Sequence, residues 1–162
     1  MRAAVCALLV VAIVSVSAGR VRAAGQEALP AFTLVSPAGA GVASADISNE
    51  AHWLLIYVST ACGSCDRLLS ALEQWRPTLP QGRIVVVIGG ARADAQDYAT
   101  RHADAAGFPW YADEDQKAAR ALGLQHEPAL VAIESGRVAW IVTGVLNDPT
   151  AVEPIIRNWT VR

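Results

Sequence analysis

One stretch limits what this chain can become more than any other: the run from His52 to Trp75, with Cys62-Gly-Ser-Cys65 at its centre. Trp53 to Val58 is a mostly apolar run, rich in aromatic and β-branched residues, and reads as a buried strand. Small and polar residues follow, then two cysteines separated by Gly63 and Ser64. Beyond Cys65 the apolar residues fall at Leu68, Leu69, Leu72 and Trp75, which is helical spacing. The order is therefore strand, turn, cysteine pair, helix. A helix N-terminus offers unpaired backbone N–H groups and a positive dipole end, and both favour a thiolate over a thiol. Cys62 sits at that end, with Cys65 one turn inside it.

Half of a zinc site has the same Cys-x-x-Cys spacing, but a structural zinc needs four ligands. The chain has three cysteines, and Cys6 lies in a segment expected to be removed. His52, His102 and His126 are scattered and make no ligand pair at zinc-finger spacing. A purely structural disulfide is the other reading, yet so small a loop gains little from chain entropy. Reversible dithiol chemistry at Cys62 and Cys65 is the expectation.

The N-terminus reads as an export signal: a charge at Arg2, an apolar or small run from Ala3 to Val16, then small residues. Cleavage is expected after Ala18 or after Ala23, giving a signal peptide over 1–23 and one domain over 24–162. The alternative is an uncleaved anchor, for which the apolar run of about 16 residues is short against the roughly 20 that a span needs. No other segment is long and apolar enough. Either way the protein is expected outside the cytoplasm, in the periplasm or its equivalent. Cleavage at Ala23 removes 23 of 162 residues and three of 13 basic ones, leaving 139 residues with 10 basic against 15 acidic, a formal charge of −5. That length suits a single core, and that balance argues against a nucleic-acid partner. Cys62 and Cys65 would then be the only thiols, with nothing to mispair against.

Ala31 to Val35 is a short strand candidate, and Val42 to Ile47 a second strand or an extended lead-in. Pro77 and Pro80 end the helix that follows the cysteines. Arg83 to Ile88 is continuously apolar, as a central strand covered on both faces should be. Asp94 to Ala105 reads as a modest helix with Ala95, Tyr98, Ala99 and His102 on one side. Phe108 to Tyr111 is extended. Asp113, Glu114 and Asp115 place three acids at the start of a helix over Gln116 to Leu122, where they complement its dipole, and Gly123 stops it. Ala129 to Ile133 and Val138 to Val145 form a hairpin around Glu134-Ser-Gly-Arg137. Asp148-Pro149 starts the last helix, with Val152, Ile155, Ile156 and Trp159 as its apolar face. Alternating strands and helices closed by a hairpin and a helix predict an α/β sandwich with a mixed sheet.

From about Pro30 to Trp159 the chain resembles thioredoxin-fold proteins, and among them the exported TlpA/ResA-like thiol–disulfide oxidoreductases. The residues that carry the resemblance are Pro30 to Leu34 with Ala45 to Ile47, Cys62-Gly-Ser-Cys65, the segment Asp113 to Leu124, and Glu127-Pro128-Ala129. The resemblance implies a three-layer sandwich with a short N-terminal extension. It also implies a cis-proline at Pro128 facing the dithiol, whose neighbouring peptide groups pair with an extended client strand. It implies a reductant of exported client proteins with cysteine pairs, recharged by a membrane or periplasmic electron donor, and no cofactor beyond its own redox-active disulfide.

Some positions depart from that pattern. The buried aspartate six residues before the first cysteine in thioredoxin is Ile56 here, and the glutamate six after it in ResA-like proteins is Leu68. Ala61 stands where tryptophan is usual, and Ser64 where proline is common. Glu127 is an unusual charge beside the proline. It is the candidate for the missing carboxylate, able to disfavour a Cys62 thiolate and to carry the resolving proton; the alternative is a side chain in solvent. Two other functions compete. Cys62, Cys65 and His126 would hold Cu(I) in a metallochaperone, and Thr60-Ala61-Cys62 faintly echoes a peroxidatic cysteine.

Overall fold

The computed structural model describes residues 21–22, 27–102, 107–144 and 148–161. The export signal expected over 1–23 falls almost wholly outside them, as do the expected ends of one helix at 103–105 and of the hairpin at 145. Among the described residues no helix is long and apolar enough to cross a membrane.

Among the described residues nine strands make one mixed sheet: β1 (Val21–Arg22), β2 (Glu27–Ala28), β3 (Thr33–Val35), β4 (Gly41–Ala43), β5 (His52–Ser59), β6 (Ile84–Gly89), β7 (Trp110–Asp113), β8 (Ala129–Glu134) and β9 (Arg137–Thr143). Their order is β1-β9-β8-β5-β6-β7-β3-β4, with β2 also on β9. The strand that leads to the cysteines, β5, lies in the middle. It runs parallel to β6 and antiparallel to β8. Among the described residues the sheet is accompanied by the helices α1 (Gly63–Trp75), α2 (Arg92–Arg101), α3 (Lys117–Leu122) and α4 (Glu153–Thr160). The thioredoxin-like fold expected from the sequence is the fold observed.

The two-residue period of β5 sorts its side chains between two cores. Leu54, Ile56 and Val58 face α1, α2 and α4, packing with Leu68, Leu72, Tyr98, Ile156 and Trp159. Leu55 and Tyr57 face the other way, onto Phe32, Leu34 and the Ala118, Ala119 and Leu122 face of α3. Both faces are covered, so every residue from Trp53 to Val58 is buried. Each such Leu, Ile or Val contributes about 1.5–3 kcal/mol. The turn between β8 and β9 places Ser135 and Gly136 at φ 49° and 73°, the left-handed pair that a tight hairpin requires.

Three local expectations need correction. Of the acidic triplet, only Asp113 caps α3, accepting from Ala118 and Ala119 N–H at 2.9 and 3.0 Å. Glu114 accepts instead from Arg92 N–H at the start of α2, and Asp115 bends left-handed before the helix begins at Lys117. Ile155 is exposed, whereas Val152, Ile156 and Trp159 are buried. The last helix starts only at Glu153, because Asp148 and Pro149 open a separate tight turn capped through Thr150.

Candidate active site

Strand β5 ends at Ser59, and its carbonyl accepts from Cys62 N–H at 3.3 Å. That turn sets Cys62 as the N-cap of α1, where its sulfur accepts from Cys65 N–H at 3.2 Å. The Ser64 hydroxyl lies 3.3 Å from the same sulfur. The two cysteines are joined as a disulfide, with 5.2 Å between their Cα atoms. Cys62 is half-buried and Cys65 fully buried in the α1 core. Ile56 and Leu68, the two positions where a carboxylate would be expected beneath the sulfurs, belong to that same apolar core.

Glu127 and Pro128 come immediately before β8, whose first residue, Ala129, pairs with Tyr57 near the end of β5 that leads to the cysteines. Pro128 is buried, and the Glu127–Pro128 peptide bond is cis. Glu127 is half-buried, and its carboxylate accepts a hydrogen bond from the Ser59 hydroxyl. A depression of about 430 Å³ opens beside Cys62, lined by Gln116, Leu124, Gln125, His126 and Glu127. Glu127 and Cys62 line the same depression, and the Glu127 carboxylate is tied to the strand that leads into the cysteines.

A second polar pair lies under the sheet on the α3 side. Tyr57 donates its hydroxyl to Asp113 Oδ2 at 3.0 Å. Both residues are wholly buried. Burial, and then the Asp113 charge, pushes the tyrosine hydroxyl well above its ordinary range. On the helix side, Asp66 accepts from the Tyr98 hydroxyl at 2.6 Å, and His102 Nε2 lies 3.4 Å from the same carboxylate oxygen. Neither pair is marked in the sequence. Tyr57 looks like one more apolar strand residue, and its partner is 56 positions away.

The copper site through Cys62, Cys65 and His126 is not favoured. Among the described residues no group of three His, Cys, Asp or Glu side chains is placed to hold a metal. His126 lines the depression but is exposed, and the two sulfurs are bonded to each other. His52 is 2.8 Å from Glu134, so the three histidines serve three separate places.

Comparison with known proteins adds a family and a set of structural likenesses. The model of the AhpC/TSA family matches residues 25–144. A putative thiol:disulfide interchange protein DsbE from Chlorobium tepidum aligns with a TM-score of 0.64 at 20% identity, over 83% of this chain and 96% of that one. A secreted Mycobacterium tuberculosis disulfide oxidoreductase aligns with a TM-score of 0.62 at 15% identity, over 78% and 95%. The exposed lipoprotein thioredoxin Etrx1 of Streptococcus pneumoniae gives 0.60 at 16% identity, over 79% and 98%. At these identities the likeness is one of fold. Among curated proteins none matches the chain.

Proposed function

The chain belongs to the AhpC/TSA family, and from that premise we propose that it is an exported thiol–disulfide oxidoreductase of the TlpA/ResA-like kind, reducing client disulfides through Cys62 and Cys65. The observation that carries this reading is the asymmetry of the pair. One sulfur is half-buried at a helix N-cap beside an open depression, and the other is buried behind it. An attacking thiol needs access and a stabilised thiolate, whereas a resolving thiol needs only to reach its neighbour.

In the reduced protein, Cys62 thiolate attacks one sulfur of a client disulfide. The client S–S bond breaks, a Cys62–client bond forms, and the leaving sulfur takes up a proton. Cys65, as thiolate, then attacks Cys62 sulfur, releases the second client thiol and closes the Cys62–Cys65 disulfide. Two electrons have passed to the client. A dithiol donor of the same compartment returns them by the reverse exchange. Pro128 and the peptide groups around it receive the client backbone as an added strand. Glu127 carries the resolving proton. By disfavouring the Cys62 thiolate it also favours the disulfide form, which makes the pair more reducing. Export is supported by the N-terminal sequence and by the secreted or exposed character of two of the structural neighbours.

Equilibration of the Cys62–Cys65 pair with glutathione tests the proposal. A pair more reducing than glutathione is expected, each ten-fold in the equilibrium constant being about 30 mV. A pair that does not exchange removes the enzymatic reading, and peroxide consumption at a comparable rate would replace it with a peroxidase.

A further inference from the structure

Gln116 stands beside the dithiol in a backbone conformation that its own side chain does not favour. It lies at φ 53° and ψ 39°, directly after Asp115 at φ 58° and ψ 15°. Two consecutive left-handed residues, neither of them glycine, are held in place by the anchored first turn of α3. The buried Asp113 carboxylate grips Ala118 and Ala119 N–H, and the buried faces of those two alanines fix α3 against the sheet. Glycine or asparagine would make this step with less strain. The chain places a glutamine there, and that glutamine is exposed and lines the depression that opens on Cys62. Strain of this kind persists at functional sites when it aims a group.

A carboxamide offers one acceptor and two donors, the complement of a peptide group. Resting on the oxidoreductase reading above, we propose that Gln116 is a specificity-determining residue: its carboxamide pairs with the peptide group beside the client's disulfide, so that polypeptide disulfides are preferred to small ones. Gln125, on the rim of the same depression, offers a second carboxamide to the same stretch of backbone. A small disulfide reaches Cys62 without either contact.

The test compares reduction of insulin with reduction of glutathione disulfide by the full chain, first reduced with dithiothreitol, in wild type, Gln116→Gly and Gln116→Asn. Both substitutions relieve the left-handed backbone, and both proteins are expected to melt higher than wild type. Only Gln116→Gly loses the carboxamide. Its insulin-to-glutathione rate ratio is expected to fall about three- to ten-fold, the worth of one hydrogen bond, while Gln116→Asn keeps a ratio within about twofold of wild type. An unchanged ratio in Gln116→Gly overturns the proposal, and so does an equal fall in both variants, which would assign the effect to the backbone. Lower melting temperatures in both variants would remove the strain on which it rests. A wild-type protein that reduces neither substrate refutes the oxidoreductase reading itself, and this proposal with it; one that reduces glutathione disulfide but favours insulin no more than Gln116→Gly does refutes this proposal alone.

Discussion

Tyr57 on β5 reaches over β6 to donate its hydroxyl to Asp113 on β7, at 3.0 Å. The register that pairs Ser59 with Gly89 and Gly89 with Asp113 puts a glycine under the tyrosine's path. Asp113 receives that hydroxyl together with two backbone N–H groups of α3, so one buried carboxylate joins the central strand to a helix beside the dithiol depression.

Gly89 has no side chain because there is no room for one. A Cβ there would come within 2.5 Å of the Tyr57 hydroxyl oxygen and 3.2 Å of the ring carbon that bears it. Gly89→Ala is expected to destabilise the protein by about 1–3 kcal/mol through overpacking. Thermal melting checks this, and Tyr57→Phe should recover part of the loss by removing the oxygen.

Asp113→Ala leaves two N–H groups of α3 and the Tyr57 hydroxyl without their acceptor. Hydrogen bonds to a charged group are worth about 1.5–3 kcal/mol each, so a loss of about 3 kcal/mol or more is expected in urea unfolding. The same variant should loosen the segment that carries Gln116, raising amide exchange across α3 while leaving α1 protected. Equal protection in α3 would show that Asp113 is not what holds it.

Alkaline unfolding should report Tyr57 and Tyr98. Each hydroxyl titrates above its ordinary range, first because it is buried and then through Asp113 or Asp66. Below about pH 10 both the folded and unfolded chains keep these protons, and the stabilising contribution is fully present. Above that the unfolded chain releases them first, so stability falls as pH rises, by at most about 1.4 kcal/mol per pH unit for each group. Urea midpoints measured against pH should fall less steeply in Tyr57→Phe, and parallel curves would contradict the coupling.

Glu127→Gln should move the rise of thiolate absorbance in the reduced protein to lower pH, because a carboxylate near Cys62 disfavours the charged sulfur. Ser59→Ala removes the hydroxyl that Glu127 accepts from; its cost to stability is expected to be about 1 kcal/mol. Identical titrations of wild type and Glu127→Gln would take Glu127 out of the chemistry.

The two cysteines should fail differently. Cys65→Ser keeps the accessible sulfur and is expected to accumulate a mixed disulfide with an insulin chain, visible by mass. Cys62→Ser leaves Cys65 with its sulfur buried and should form almost none through that residue. Equal trapping by both would remove the assignment of attacker and resolver.

The stretch from Trp53 to Trp75 is legible in one dimension, because each of its signals is local. An apolar run, a cysteine pair and a 3.6-residue repeat need only neighbouring residues to be read. The hairpin around Ser135 and Gly136 is legible for the same reason. Ile155 is misplaced by its sequence pattern because an apolar period marks a helix face without saying how far the core covers it, and Ile155 is left exposed beside the buried Val152, Ile156 and Trp159.

What the sequence determined by itself was the kind of chemistry and the kind of fold: a cysteine pair at a helix mouth within alternating strands and helices. The tertiary structure alone decided which polar groups meet. Ser59 with Glu127 and Tyr57 with Asp113 join residues 68 and 56 positions apart, and Gln116 reaches the rim of the dithiol depression only through a left-handed step that carries no sequence mark. The physical reason is that hydrogen bonds between distant residues are set by strand register and layer packing, which no local pattern encodes.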